Sequence, residues 1–317
     1  MSVKIKLGLA IIILSILSLS IGNLDFSWFD LLRGHRESLN VLIVSRIPRL
    51  VAVILTGVGL SIGGLIMQQI VHNKFVSPST TTTASSARLG IMFAIAFLPQ
   101  QSMLQRSVFA FTFALVGTLM FMWLMQRIKF KDVVFVPLLG MMLGSVIDAI
   151  TTFLALRLDV MQTLNGFTIG SFTLLIKGRY EMMYLLVLVI IITYVYAKAF
   201  NIVALGSDYA NNLGLNYKQV VMIGVLIVSL NSAVIVSIVG NISFVGIIIP
   251  NLVSRWFGDK VDSTLTLTAL CGALFLLVAD IISRLIIFPY EVPVSLTIGI
   301  IGSIGFILLI MKQVRHE

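Results

Sequence analysis

Two acidic side chains inside long apolar stretches, Asp148 and Asp280, are the residues of this sequence best placed to do chemistry. A carboxylate within a membrane-embedded helix commonly serves a proton or ion relay. Arg284 follows Asp280 by four residues, on the same face of a helix, so an ion pair is the simpler explanation for that acid. Asp148 has no such neighbour and is therefore the candidate for an ion-coupled carrier.

Catalytic residue types are not grouped in the sequence. The three histidines, His35, His72 and His316, are far apart. The single cysteine, Cys271, excludes an intrachain disulfide and leaves no Cys/His cluster for a metal. No Gly-Lys dipeptide occurs, so the sequence has no P-loop to hold the phosphates of ATP. We predict no catalytic residue, no metal site and no bound cofactor, and we expect a separate motor to supply energy.

The composition is that of a membrane protein. Of 317 residues, 58% are hydrophobic and 11% are charged, whereas soluble domains carry about 25% charged residues. The sequence therefore predicts an all-α integral-membrane fold, one compact polytopic domain over residues 1–317 with about ten spans. We expect these spans near residues 5–22, 50–71, 88–99, 107–126, 133–155, 181–199, 219–239, 243–255, 264–286 and 295–312.

The third and eighth predicted spans are too short to cross a bilayer, and each follows a polar, bent approach. Gly240 to Arg255 is apolar but is interrupted by glycine and proline, which lipid does not tolerate unless protein or a water-filled cavity surrounds the chain. We predict that Phe244, Gly246, Pro250 and Asn251 line a pathway. A proline-kinked packing helix is the alternative.

A hydroxyl-rich tract precedes the third span. Hydroxyl groups suit a wetted gate, and the alternative is a loop that caps the next helix. The residues assigned to this gate are Ser79, Thr80, Thr81, Thr82, Thr83 and Ser85. The approaches at 72–78 and 240–250 also echo one another, each with Asn, Phe-Val and Pro, and they face opposite sides of the membrane. That arrangement is typical of an inverted repeat.

The net charge of +9 is spread over loops, without the basic tract that nucleic acid would need. Placing both termini in the cytoplasm puts most Lys and Arg residues inside, as the positive-inside rule requires, with the best anchor at residues 127–131. Arg46 and Arg49 then lie outside with no acid nearby in sequence. They predict an acidic docking partner, whereas Arg284 has Asp280 as a local partner.

Residues 204–216 form the longest cytoplasmic connection between two plain spans and read as two short helical turns broken at Gly206 and Gly214. Leu205, Leu213 and Leu215 are exposed unless a partner covers them. A short helix with an apolar face can dock in a groove of another protein. We assign partner coupling to Ala204, Leu205, Gly206, Ser207, Asp208, Ala210, Leu213 and Gly214.

Several of these motifs together resemble the permease subunits of bacterial ATP-binding-cassette importers for iron–siderophore complexes, haem and cobalamin. The resemblance covers nearly the whole chain. It is carried by Ser45-Arg46-Ile47-Pro48-Arg49-Leu50, Asn73-x4-Pro78, Ala204-Leu205-Gly206…Leu213-Gly214, Gly240-x3-Phe244-Val245-Gly246-x3-Pro250…Arg255, Ala279-Asp280…Arg284 and Pro289-Tyr290-Glu291-Val292-Pro293.

The resemblance implies a bacterial cell-membrane protein in which a second permease copy, identical or related, completes a pore. It implies two cytoplasmic ATPase subunits, which bind ATP and dock on Leu205 to Gly214. It also implies an extracellular substrate-binding lipoprotein that pairs with Arg46, Arg49 and Arg284.

The sequence departs from the family pattern at two places. Asn251 stands where the family often has His, and Asn73 to Pro78 reads NKFVSP where the family often has Asn-Pro-Leu-Ala-Asp-Pro. The variant is similar to the ferric-siderophore branch and unlike the cobalamin branch. The expected function is import of an iron–siderophore complex. The alternatives are haem or cobalamin as cargo, or a secondary transporter that uses Asp148.

Overall fold

Helices make up nearly all of the chain. The computed structural model describes residues 2–22, 28–98, 100, 102–128 and 134–314. Its helices are α1 (Val3–Ser20), α2 (Trp28–Leu32), α3 (Arg36–Val41), α4 (Ile47–Val71), α5 (Thr82–Phe97), α6 (Met103–Arg127), α7 (Phe135–Arg157), α8 (Met161–Thr168), α9 (Leu185–Val203), α10 (Ser207–Asn212), α11 (Tyr217–Ile238), α12 (Val245–Phe257), α13 (Val261–Leu285) and α14 (Val294–Val314).

Short irregular turns join some of these helices. A π turn, Leu42–Arg46, connects α3 to α4, and a 3₁₀ turn, Glu181–Tyr184, leads into α9. Among the residues that the structure describes, β pairing is limited to two isolated bridges, Ile169 with Asn241 and Ile287 with Tyr290.

Seven helices are long and apolar enough to cross a membrane: α1, the continuous helical stretch 36–71, α6, α7, the stretch 181–203, α11 and α13. Three shorter apolar helices, α5, α12 and residues 294–307 of α14, bring the number of candidate membrane elements in the described chain to ten. The prediction of an all-α bundle with about ten spans is confirmed. Part of the predicted anchor, Lys129 to Lys131, lies outside the described residues, as does His316.

The two helices expected to be short are indeed short, but one boundary is wrong. At about 1.5 Å per residue, the 13 residues of α12 reach about 20 Å, less than the roughly 30 Å hydrocarbon core. Helix α5 begins at Thr82 rather than near residue 88. Thr82, Thr83 and Ser85 of the hydroxyl-rich tract therefore lie in the first turns of α5, whereas Ser79, Thr80 and Thr81 precede it. Helix α5 accepts Thr82 and Thr83 because their hydroxyls find partners on the neighbouring helix α6.

Helix α4 lies at the centre of the bundle, where it packs against α9, α11, α12 and α13. It meets α12 at two glycines: a Cβ atom added to Gly64 would overlap the Gly246 carbonyl. Small residues permit such contact between helix backbones. Ser61, within the Gly-x-Ser-x-Gly letters of residues 59–63, donates to the Gly57 carbonyl at 2.8 Å and is buried. It is a helix residue, and the strand-to-helix elbow of a nucleophilic serine is absent there.

Helices α1 and α7 lie at the edge of the bundle and expose apolar side chains. Ile13 of α1 and Met142, Val146 and Phe153 of α7 are all exposed. A lipid bilayer or another apolar partner surface covers such faces in a membrane protein. The interior is thus formed mainly by α4, α11 and α13.

Candidate functional site

The connection between α9 and α11 folds into a single short helix, α10. Gly206 and Gly214 bracket it with φ angles of +101° and +78°, which glycine adopts without steric cost. The expectation of two helical turns broken at these glycines is therefore wrong in detail, since one helix lies between them. Ser207 and Asp208 begin this helix, are exposed, and share a 3.2 Å hydrogen bond between their side chains.

One face of this connection is an apolar ridge of Leu205, Tyr209 and Leu213, each 60–67% exposed. Tyr209 lies within α10, Leu213 directly follows it, and Leu205 precedes Gly206 at its start. On the other side Ala210 is fully buried, and Leu215, expected to be exposed, packs against the hydrophobic core. Docking of a partner on this exposed ridge stays a prediction.

The end of α4 supports this connection from the bundle side. His72 Nε2 lies 3.0 Å from the carbonyl oxygen of Val203, the last residue of α9. His72 itself adopts a left-handed conformation, with φ of +56°, that ends α4. The end of α4 is therefore bonded to the residue from which the connection to α10 starts.

At the opposite end of the bundle, the predicted docking arginines form an outer ionic cluster of Arg46, Arg49, Asp280, Arg284 and Glu291. Arg49 Nη2 lies 2.9 Å from Asp280 Oδ1, and Arg49 Nη1 lies 2.8 Å from both Glu291 carboxylate oxygens. Arg284 Nη2 is 2.7 Å from Asp280 Oδ2, which confirms the local pair expected from sequence. Asp280 is completely buried.

The same cluster holds the outer end of α1. Arg284 Nη1 donates to the carbonyl oxygens of Ser18 and Ile21, both at 2.9 Å, and Arg46 Nη1 also donates to Ile21 O. The last carbonyls of a helix lack intrahelical donors and carry partial negative charge. These arginines therefore compensate the end of α1 as well as the two acids.

Glu291 joins the loop before α14 to this cluster. Burial alone would raise the pKa of Glu291, but the Arg49 guanidinium and the hydrogen bond from Thr173 Oγ1, at 2.7 Å, hold that pKa below its usual range. The ionised carboxylate therefore stabilises the folded protein at neutral pH.

The sequence predicts a docking role because no acid lies near Arg46 and Arg49 along the chain. In the fold, however, Asp280 and Glu291, which are distant in sequence, pair with Arg49. Arg46 and Arg284 are buried, and Arg49 is nearly so. Docking of a partner at these three arginines stays a prediction. It requires the arginines to break their present contacts within the chain.

In the interrupted segment before α12, Phe244 adopts a φ of +69°, which is rare and strained for a bulky residue. Pro250 lies inside α12 and has no N–H for the Gly246 carbonyl. Gln68 of α4 approaches that carbonyl at 3.5 Å, and Asn251 donates to Lys74 O at 2.8 Å. The helix break is thus supported by protein groups, and a pathway role for this segment stays a prediction.

Half of the hydroxyl-rich tract lies in the interior. Thr81, Thr82 and Thr83 are buried. Thr82 Oγ1 donates to Gly117 O at 2.6 Å, and Thr83 Oγ1 lies 2.7 Å from Thr118 Oγ1. The hydroxyls of Thr82 and Thr83 therefore join α5 to α6, and Thr81 Oγ1 bonds within its own turn to Pro78 O at 3.2 Å. A gate role for these three residues stays a prediction.

The other half of the tract is partly exposed. Ser79, Thr80 and Ser85 are only half-buried, and a gate role for them stays a prediction. Ser85 Oγ donates to Asp148 Oδ2 at 2.7 Å, and Arg88 Nη1 lies 3.3 Å from Asp148 Oδ1. The acid considered for ion coupling therefore has two partners on α5.

Sequence reasoning missed three of these features. Arg88 follows Ser85 by three residues on α5, but nothing in the sequence joins them to Asp148. The ion pair of Glu291 could not be predicted, because its partner Arg49 is 242 positions away in the sequence. Tyr209 could have been found, since it follows Leu205 by four residues and precedes Leu213 by four.

Comparison with known proteins extends the resemblance. Residues 10–312 match the FecCD transport family. The petrobactin import system permease protein YclN of Bacillus subtilis is 44% identical over 307 residues, covering 97% of each chain. The ferric-anguibactin transport system permease protein FatD of Vibrio anguillarum is 39% identical and covers 98% of this chain and 99% of the relative.

A second FatD, a petrobactin import system permease protein of Bacillus anthracis, is 36% identical over 96% of this chain and 90% of its own. A solved chain of a metal-chelate type ABC transporter, in an inward-facing conformation, superposes with a TM-score of 0.82. It covers 98% of this chain and 99% of its own at 24% identity, so it supports the fold. With most of its length matched, this chain is a member of the FecCD transport family.

Proposed function

We propose that this chain is the membrane-spanning permease subunit of an ATP-binding-cassette importer that moves ferric siderophores into the cytoplasm. The observation that carries the proposal is similarity over nearly the entire length, at 36–44% identity, to permease proteins named for petrobactin and ferric anguibactin. The interrupted α12 beside the central helix α4 supports it, because broken helices in membrane proteins commonly line a substrate path.

Two ATPase subunits on the cytoplasmic side would supply the energy. The apolar ridge of Leu205, Tyr209 and Leu213 is the surface that we assign to one of them, and a groove on that partner would cover it. ATP would bind to the partner, since this sequence contains no P-loop. This assignment places α10 in the cytoplasm and, by counting spans, both termini there too.

Two further partners belong to the proposal. A second permease copy would complete the pore, and the exposed apolar face of α7 supports such a contact. An extracellular substrate-binding lipoprotein would deliver the cargo at the end of the bundle opposite α10. No nucleic acid and no cofactor of this chain are needed.

The rival of an ion-coupled carrier has no observation in its favour. Asp148 is bound by Arg88 and Ser85, so its carboxylate already has protein partners. Nothing in the fold favours haem or cobalamin over a ferric siderophore. The ferric siderophore thus remains the cargo that the relatives support.

Reconstitution tests the proposal. Proteoliposomes would contain this permease alone, or the permease with its ATPase and binding-protein partners, and ⁵⁵Fe-labelled ferric petrobactin would be the cargo. We expect accumulation only in the complete system with ATP. Accumulation by the permease alone under a proton gradient would instead establish a secondary transporter, and uptake of haem in place of ferric petrobactin would correct the cargo.

A further inference from the structure

Arg106, on the first turns of α6, is a buried cation without a buried acid. The residue is only 6% exposed. Its Nη2 donates to the Ser237 carbonyl at 2.9 Å, and its guanidinium lies over the Phe167 ring, 3.9 Å from the ring centroid. Its Nε is buried and has no hydrogen-bond partner among the residues that the structure describes. A guanidinium carries five N–H donors, so most of its capacity is unused.

A cavity of about 370 Å³ adjoins this guanidinium. Its walls come from α6, α8, the end of α11 and the loop after α8. Arg179, an exposed residue of that loop, lines the same cavity. The cavity therefore presents two cations, one buried and one at the rim.

None of the described residues lining this cavity is acidic. The acid nearest in the loop sequence, Glu181, accepts the Gly178 N–H at 2.6 Å instead and is exposed. A buried charge without a counter-charge costs free energy, which an anion in the cavity would offset. In the outer ionic cluster, by contrast, each arginine has an acid or the carbonyls at the end of α1 as partners.

The cavity adjoins the interrupted segment before α12. Ser171 N donates to Val239 O at 2.9 Å, and Asn241 N donates to Thr168 O at 3.0 Å, so one wall of the cavity is bonded to the start of that segment. An anion bound here lies beside the segment assigned to the transport path. Arg106 faces away from the lipid side of α6, where Leu104 and Val108 are exposed.

We propose that Arg106, assisted by Arg179, binds an ionised oxygen edge of the ferric chelate at the outer mouth of the path. The inference rests on the proposed function and names the charge class of its cargo. Chelators that hold ferric iron through carboxylates or catecholates form negatively charged complexes. A guanidinium binds carboxylate-type oxygens in a bidentate manner.

Equilibrium binding of ⁵⁵Fe-petrobactin to the permease–ATPase complex in phosphatidylcholine nanodiscs tests the site. The binding protein is left out of this measurement. We expect Arg106→Gln to weaken binding at least about tenfold, as loss of a charge-assisted hydrogen bond does. Arg106→Lys keeps the charge and should retain part of the affinity. Arg179→Gln, at an exposed position that does not threaten folding, should weaken binding by a smaller factor. Arg36→Gln, an exposed outer arginine away from the cavity, should change nothing.

Each other result has a defined meaning. A wild-type importer that transports ferric petrobactin but binds it no better than both glutamine variants overturns the inference and leaves the proposed function standing. A wild-type importer that transports no ferric siderophore fails the proposed function itself. Loss of affinity for the iron-free binding protein in Arg106→Gln would assign the site to a partner carboxylate. An anionic phospholipid seen by native mass spectrometry in wild type and absent from Arg106→Gln would assign it to lipid. Both of these results overturn the cargo inference.

Discussion

The two ends of this bundle differ in whether their predicted docking residues are paired within the chain or exposed. At the outer end, Arg49, Asp280 and Glu291 bind one another within the chain. At the end that carries α10, Leu205 and Leu213 are exposed. The charged residues that looked available to a partner hold the fold together, and the apolar residues are the ones left uncovered. Of the two surfaces, only the apolar ridge is open to a partner without a change in the contacts of the folded chain.

Removing the apolar ridge should have the largest functional effect. We expect Leu205→Ser with Leu213→Ser to reduce ferric-siderophore uptake by at least about tenfold, because ATPase docking loses its buried anchors. The chain should still insert and unfold at the wild-type temperature, since both side chains are exposed. Uptake, ATPase copurification and thermal unfolding measure the three properties.

Val134→Ser is the matched control for the ridge variant, since Val134 is also exposed and lies just before α7. It should leave uptake and copurification unchanged. Normal uptake by the double variant would remove the ridge from the coupling interface.

Breaking the outer ionic cluster should have the largest effect on stability. Asp280→Asn removes the charge shared by Arg49 and Arg284, at a site with no exposure. Loss of one partner of a buried pair costs about 3–5 kcal/mol. Thermal unfolding in detergent measures the change, with Asp159→Asn at an exposed turn as the control. An unfolding temperature equal to that of wild type would mean that the cluster does not hold the fold.

Glu291→Gln should have a smaller and pH-dependent effect. The pKa of Glu291 is lower in the folded chain than in the unfolded chain, so its stabilisation is complete above the ordinary carboxyl pKa and is lost as the pH falls through the folded value. We expect the variant to be less stable than wild type by roughly 1–3 kcal/mol at pH 7. The gap should narrow below about pH 4.

Unfolding curves from pH 3.5 to 7 test this prediction. Glu37→Gln, at an exposed position of α3, supplies the comparison and should follow wild type throughout. A gap between Glu291→Gln and wild type that stays constant with pH would show that the carboxylate charge is not responsible.

The smallest effect is expected for an exposed ion pair between the loop after α4 and the turn after α12. Lys74 Nζ lies 2.9 Å from Asp259 Oδ1, and both side chains are more than half exposed. Burial alone would raise the pKa of Asp259, but hydrogen bonds from Ser254 and Lys74 hold it below its usual range. Lys74→Ala should cost less than about 1 kcal/mol, since water and salt screen such pairs.

The backbone contact from Asn251 to Lys74 O survives the Lys74→Ala change. The same unfolding assay gives the result. A loss as large as that of Asp280→Asn would erase the distinction between the buried cluster and this surface pair.

The membrane bundle could be predicted because its helices are set by the length of apolar runs and by nearby glycine and proline residues. Both features can be read from residues that are adjacent in the sequence. The short α12 and the connection around α10 come from such signals, as does the Asp280–Arg284 pair. Pairing across the bundle could not be predicted, since Arg49 meets Asp280 over 231 positions and Asp148 meets Arg88 over 60.

The hydroxyl-rich tract shows a second limit. Ser and Thr favour helix ends and turns in isolation, so Thr82 and Thr83 were expected to precede α5. In the fold, acceptors on α6 satisfy both hydroxyls, and the helix includes them. Without knowledge of the neighbouring helix, the sequence does not distinguish hydroxyls that line a water-filled cavity from hydroxyls that bond to another helix.

The contact between Gly64 and Gly246 limits how this molecule can change shape. No side chain separates the two backbones there, so nothing between them can switch rotamer or slide aside. We therefore expect helices α4 and α12 to stay packed together when the bundle changes shape. Rearrangement is then expected at contacts made by side chains that can repack, such as those of α7 at the edge of the bundle.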